Sequence, residues 1–198
     1  MWGGNGYGTL GQNDRTNRSS PIQIPGTTWR QTSGTGNANA AIKTDGTLWM
    51  WGRNHWGQLA QNNTTYYSSP VQIPGTSWKL IRTDGQSGWG VKTDGTLWTW
   101  GIGNSGWLAQ NNRTSYSSPV QIPGTTWVDL DMGDGGTVAT KTDGTLWAWG
   151  KNNNGVLGQN STSTAYYSSP VQIPGTTWST DLYAISRDSS SIKALRSS

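Results

Sequence analysis

Covalent chemistry needs a positioned base, a nucleophile or a metal site, and this chain is poor in the residues that supply them. Its 198 residues hold one histidine, His55, no cysteine and no glutamate. The positions matching His55 in the other copies of the repeat described below are Gly6, Asn104 and Asn153. The imidazole therefore has no recurring partner for a catalytic dyad, and it reads as an exposed loop side chain. Asp45, Asp94 and Asp143 recur at equal steps, but each sits in Thr-Asp-Gly-Thr. Turn chemistry accounts for them, because an aspartate there bonds to its own turn. Residues 129–136, Asp-Leu-Asp-Met-Gly-Asp-Gly-Gly, resemble a calcium loop without its late bidentate glutamate, and the matching residues 30–37 and 79–86 lack the three aspartates. That stretch reads as a polar turn. No catalytic residue, metal site or cofactor is expected, and the chain is not expected to be an enzyme.

Recognition is the chemistry that remains. Two loops differ from copy to copy: residues 4–7, 53–56, 102–105 and 151–154 after a Trp-Gly pair, and residues 34–39, 84–89 and 133–138 before a hairpin. They and their neighbours present Tyr7, Arg53, His55, Trp56, Trp89 and Trp107. Aromatic and cationic side chains on loops suit a protein hot spot, and a spare indole also suits a sugar face. The competing reading for Trp56, Trp89 and Trp107 is that they fill gaps between packed sheets. Charged residues make up 12% of the chain, the net charge is +4, and the basic residues are scattered singly. No stripe suits a phosphate backbone, so nucleic acid is not an expected partner. No apolar stretch reaches membrane-spanning length, and the first ten residues lack the basic and apolar regions of a signal peptide.

The loops must be carried by something, and the sequence repeats nearly literally. Lys-Thr-Asp-Gly-Thr-Leu-Trp occupies residues 43–49, 92–98 and 141–147, and Ser-Ser-Pro ends at Pro21, Pro70, Pro119 and Pro170. Trp-Gly recurs at residues 2–3, 51–52, 100–101 and 149–150, which divides one repeat domain, residues 1–198, into units 2–50, 51–99, 100–148 and 149–198. The signals within a unit are β. Asp-Gly between two extended runs predicts a hairpin with a type I′ turn. Its strands are residues 40–43 and 48–51, with further strands at residues 21–24 and from Trp29 to about Gln31, the last matched at residues 78–81 and 127–130. Leu48 and Met50 point to one face and Trp49 and Trp51 to the other, so the sheet is apolar on both sides and needs neighbours on both. Stacked four-stranded blades of a β-propeller meet that need. Tyr66, Tyr67, Tyr116, Tyr166 and Tyr167 precede the Ser-Ser-Pro strand and read as packing or a shared interface.

The ordered set of Lys-Thr-Asp-Gly-Thr-Leu-Trp, Trp-Gly, Gly-x-Leu-Gly and Ser-Ser-Pro-Val-Gln-Ile-Pro-Gly resembles the repeat of the regulator of chromosome condensation family. The resemblance covers essentially the whole chain. It implies a propeller, usually of seven blades, and a scaffold for protein binding that includes nucleotide exchange on a small GTPase. The Asn/Gln/Ser/Thr-rich form is similar to arrays of bacterial surface proteins and phage virion proteins, which implies an extracellular or virion setting. Residues 187–195 stand in for Lys-Thr-Asp-Gly-Thr-Leu-Trp-Ala-Trp in the last unit, with Lys193 at a tryptophan position, and are expected to form a capping strand. Residues 2–30 are expected to pair with the sheet begun by residues 184–196, within the chain or with a neighbouring copy. The expected function is a non-enzymatic interaction or structural module that binds a protein or itself. The alternatives are a glycan-binding lectin and an exchange-factor-like regulator.

Overall fold

The computed structural model describes residues 1–133, 136–161, 165–181, 185–187 and 192–196. Strands β1 (Trp29–Gly34), β2 (Ala38–Lys43), β3 (Leu48–Gly52) and β4 (Tyr67–Gln72) form a first antiparallel sheet in that order. A second is built from β5 (Trp78–Thr83), β6 (Ser87–Lys92), β7 (Leu97–Gly101) and β8 (Tyr116–Ile122), and a third from β9 (Trp127–Gly133), β10 (Gly136–Lys141), β11 (Leu146–Lys151) and β12 (Tyr166–Ile173). β13 (Ile185–Arg187) and β14 (Ile192–Ala194) form a two-stranded hairpin. The chain is all-β, as its composition predicts. Each four-stranded sheet crosses a repeat boundary, because its outer strand is the Ser-Ser-Pro segment of the following unit. In the first unit that segment forms no named strand; it is held by a bridge from Gly3 to Arg18 and by the Ile22 N–H donating to the Met1 carbonyl at 2.8 Å.

The Asp-Gly turns are not type I′. Gly46, Gly95 and Gly144 have φ of 78°, 77° and 72°, but the preceding aspartates keep negative φ. The Gly46 N–H bonds back to the Lys43 carbonyl at 3.0 Å, and the Lys43 N–H reaches the Thr47 carbonyl at 2.9 Å. This is a three-residue loop in which only the glycine is left-handed. The aspartate side chain stabilises it from outside, since Asp45 Oδ1 accepts from the Thr47 N–H at 2.9 Å and from Thr47 Oγ1 at 2.7 Å.

The described chain forms two compact units, residues 1–93, 98–102 and 115–120 in one and 94–97, 103–114 and 121–198 in the other. In the first, Leu48 and Met50 are fully buried against Trp78, Ile81 and Trp100. The opposite face carries Trp51, also buried, whose indole N–H donates to the Thr9 carbonyl. In the second, Val138, Leu146 and Ala148 pack with Val156 and Leu157 and against Trp178 and Ala194. The alternation of Leu and Trp along one strand therefore puts apolar side chains into contacts on both faces, as read from the sequence.

The register of the last hairpin corrects the expected alignment. Trp178 pairs with Arg196 as Trp29 pairs with Lys43, and the Arg196 guanidinium lies 5.0 Å over the Trp178 ring. β14 is thus the counterpart of β2, and residues 187–195 do not replace the hairpin and the strand after it. The physical reason is that Arg196 fills the cationic position beside the indole. Lys193, expected at a tryptophan position, is exposed.

Packing on blade faces is tight where the repeats use glycine. A Cβ on Gly90 would lie 2.6 Å from Trp78, whereas one on Gly36 meets nothing within 4 Å. Gly90→Ala is expected to cost about 1–3 kcal/mol through overpacking and Gly36→Ala to be near neutral; equilibrium urea unfolding of both variants checks the contrast.

Candidate functional site

The loops after Trp-Gly are built around a buried asparagine. Asn5, Asn54 and Asn152 are fully buried, and their Oδ1 atoms accept from the N–H groups of Leu10, Leu59 and Leu157 at 2.8, 2.8 and 3.0 Å. Their Nδ2 groups donate to the carbonyls of Asp14, Asn63 and Ser161. Each asparagine thus ties both legs of its loop together. The loop then docks on the next Ser-Ser-Pro strand, where the Asn62 N–H donates to the Ser117 carbonyl at 2.7 Å and Gly57, with φ of 77°, approaches so closely that a Cβ would sit 2.5 Å from Ser117 Cα. Only glycine fits such an approach in that conformation.

Side chains project from this fixed frame. Tyr7 is 40% exposed and Trp56, at the same place in the next repeat, is 39% exposed. The Arg53 guanidinium lies 5.2 Å from the Tyr7 ring, and Tyr66 meets Tyr7 edge-on at 5.8 Å. His55 is exposed and packs edge-on against Trp56 at 4.7 Å. The structure therefore groups Tyr7 with Arg53 and Tyr66, and His55 with Trp56.

The other two candidates lie elsewhere. Trp89 is not on a loop: it lies within β6, paired with Arg82, and is 1% exposed. Its counterparts Ala40 and Val138 are equally buried, so this tryptophan fills a core position and is not a surface anchor. Trp107 is half-buried, and its carbonyl accepts the Trp149 indole N–H at 2.9 Å, the role that Thr9 and Gln58 play for Trp51 and Trp100. Asp129 is also a strand residue and buried, in β9 and not in a polar turn; Asp134 and Gly135 lie outside the described residues. Among the described residues no group of three or more histidine or carboxylate side chains is placed to hold a metal.

A feature that sequence reading assigned only to packing lies at the hairpin ends. Lys43 is 5.0 Å from the Trp29 ring and 4.3 Å from Trp49; Lys92 is 4.9 Å from Trp78 and 4.5 Å from Trp98; Lys141 is 4.6 Å from Trp127 and 4.3 Å from Trp147. The turn aims the second indole, because Trp49 and Trp147 each donate their N–H at 2.9 Å to the threonine that the turn aspartate holds, Thr47 and Thr145. The shared spacing of tryptophan, lysine and tryptophan was the available signal.

Three four-stranded antiparallel sheets joined by docked loops, each sheet drawing on two successive repeats, define a propeller-type repeat protein. The family pattern described as Regulator of chromosome condensation (RCC1) repeat matches residues 45–81, 94–140 and 143–181, and a second form of the same repeat matches residues 127–156. The chain belongs to this family. Among solved structures it is similar to human WBSCR16, with a TM-score of 0.80 and 22% identity over 100% of this chain and 52% of that one. It is also similar to Prp20p of Saccharomyces cerevisiae, a structure described together with binding to Gsp1p and histones, with a TM-score of 0.78 and 14% identity over 100% of this chain and 51% of that one. A further structure shows Kap60 bound to yeast RCC1 (Prp20), with a TM-score of 0.76 and 15% identity over 100% of this chain and 50% of that one. The chain spans about half the length of these structures. No curated protein matches it.

Two aspartates of similar loop setting differ in charge preference. The bonds from Thr47 hold the Asp45 carboxyl below its ordinary range, whereas burial pushes that of Asp84 up despite its bonds from the Gln86 and Ser87 N–H groups. Stability from Asp45 is therefore present above its unfolded pKa and is lost as pH falls through the lower folded value. Asp84 acts oppositely, favouring the fold at acid pH and opposing it once ionised. Asp84→Asn, which keeps an acceptor, is expected to raise the thermal midpoint at pH 7 and to have little effect near pH 3. Paired melts at the two pH values check this. Protection of the Thr47 amide, exchange being corrected for its intrinsic pH dependence, is expected to fall once pH drops below the ordinary aspartate range in the parent chain and to show no such step in Asp45→Asn.

Proposed function

We propose that the chain is a non-catalytic protein-binding module that recognises its partner through the loops after Trp-Gly. The carrying observation is exposed Tyr7 and Trp56, with half-buried Arg53 against the Tyr7 ring, on loops fixed from beneath by buried Asn5 and Asn54. Aromatic side chains and arginine dominate the energetics of protein interfaces, and they do so best where their backbone is already ordered before binding. The likeness to Prp20p, described as binding Gsp1p and histones, supports a protein as the class of partner and names none for this chain. The Asn/Gln/Ser/Thr-rich repeats support an exposed setting such as a cell surface or a virion.

The test is affinity capture on the immobilised chain with the retained proteins identified by mass spectrometry. The doubly substituted Tyr7→Ala, Trp56→Ala chain is expected to fold with an unchanged melting profile and to lose most of the captured protein, since anchors of this type are worth about 2 kcal/mol or more each. Capture of the same proteins at the same level by both chains would overturn the proposal.

A further inference from the structure

The Trp-Lys-Trp arrangement recurs at the hairpin ends, away from the loops, and it leaves ammonium donors without a hydrogen-bond acceptor. The carboxylates of Asp45 and Asp143 act on Lys43 and Lys141 through their charge, and no hydrogen bond or direct salt bridge from either ammonium is seen among the described residues. The nearby turn carboxylate is already engaged, Asp143 accepting from the Thr145 N–H at 3.0 Å and from Thr145 Oγ1 at 2.7 Å. An ammonium with three donors, held by the faces of two indoles and the charge of a carboxylate it does not bond, retains capacity for an acceptor from outside.

The lysine opens into a formed space. In the third copy a cleft of about 240 Å³ is lined by Trp127, Lys141 and Trp147 and walled by Pro123 and Pro170. Pro123 continues into Gly124, where a Cβ would stand 3.3 Å from Trp127 Nε1 and 3.7 Å from Lys141 Nζ. Glycine at that point leaves the ammonium uncovered. Gly75 stands in the same relation to Lys92, 3.7 Å from its Nζ. The Trp147 indole is held by its bond to Thr145, so the wall is set before a ligand arrives.

We infer that each Trp-Lys-Trp cleft is a binding site for a carboxylated sugar, a hexuronate unit of an acidic polysaccharide. The ligand must bring a flat apolar face for an indole and an anionic oxygen for the lysine within one ring-sized unit. A pyranose with a carboxylate on its ring does both. An aspartate or glutamate side chain brings the carboxylate without the flat face, and a proline brings the ring without the charge. The cleft is smaller than the roughly 300–1,000 Å³ of pockets for drug-sized molecules, which suits one sugar unit. Three copies in one chain suit a polymer of identical units, because several weak sites on one molecule raise avidity.

The experiment is isothermal titration of the full chain with trigalacturonate and, separately, with its methyl ester. The parent chain is expected to bind the acid and to bind the ester at least tenfold more weakly. The triple variant Lys43→Gln, Lys92→Gln, Lys141→Gln is expected to lose at least tenfold in affinity, and the corresponding triple Lys→Arg chain to retain binding. Tyr7→Ala with Trp56→Ala is expected to leave sugar binding unchanged, which separates this site from the loop surface. Should the glutamine triple fail to fold, Lys141→Gln alone is followed by NMR at the Trp147 indole N–H, whose shift on addition of trigalacturonate is expected only in the parent. Absence of binding by the parent chain, equal affinity for acid and ester, equal affinity in a folded glutamine variant, or tighter binding of an acidic or proline-rich peptide would each overturn the inference.

Discussion

The structure depends on a buried indole that reaches back 42 residues for its hydrogen-bond partner. Trp51, Trp100 and Trp149 donate to the carbonyls of Thr9, Gln58 and Trp107, each at 2.9 Å. A buried indole N–H left unpaired costs free energy, and a carbonyl supplied by the loop of the preceding repeat satisfies it only at one relative placement. Each lock therefore sets position as well as supplying burial. The accepting residues Thr9 and Gln58 lie two positions beyond Tyr7 and Trp56, so the contact that orders one sheet against the previous loop also fixes the loop that carries the exposed aromatics.

The remaining tryptophans of the repeat are used differently, and the difference follows from where their N–H goes. Trp51 and its counterparts send it inward to backbone and disappear into the core. Trp49 and Trp147 send it to a threonine on the hairpin turn and stay half-buried, with a face left for Lys43 or Lys141. Two indoles separated by one residue on the same strand face thus come to serve packing and surface chemistry. The turn aspartate gains a second consequence, because by holding the threonine it also orients a tryptophan.

Much of this was legible in the sequence because a repeat shows its constraints several times over. The period, the antiparallel hairpins and the apolar character of both strand faces follow from Leu48, Trp49, Met50 and Trp51 in alternation. What was not legible depended on interactions that composition does not encode. The turn geometry turned on whether one or two residues take positive φ, and Asp-Gly is compatible with either. Trp89 stood out as irregular in type, but its alignment with Ala40 and Val138 shows that one core position holds a small side chain in some copies and a large one in another. In the last hairpin the pairing of Arg196 with Trp178 sets the register, and the similarity of residues 187–195 to the repeat does not carry that pairing. Among the expected site residues, the grouping of Tyr7 with Arg53 needed contacts across one full repeat, which no local window contains.

Backbone strain shows which requirement dominates. At the end of each Gly-x-Leu-Gly loop the chain takes a left-handed conformation, with φ of 69° at Gly11 and 64° at Gly158. The two middle copies place alanine there and keep the conformation, with φ of 57° at Ala60 and 55° at Ala109. An alanine so held costs of order 1 kcal/mol and persists only where its surroundings over-determine it. The docking of the loop, through the buried asparagine or glycine at its start and the indole lock beside it, is therefore stronger than the local preference of the residue at its end. The constraint stops short of the tip, where Ser105 and Asn154 take φ of 59° and 60° while Tyr7 and Trp56 keep negative φ. Tyr7, Trp56, Ser105 and Asn154 occupy that equivalent tip position, and their divergence within an otherwise near-identical repeat is the freedom that a recognition surface requires.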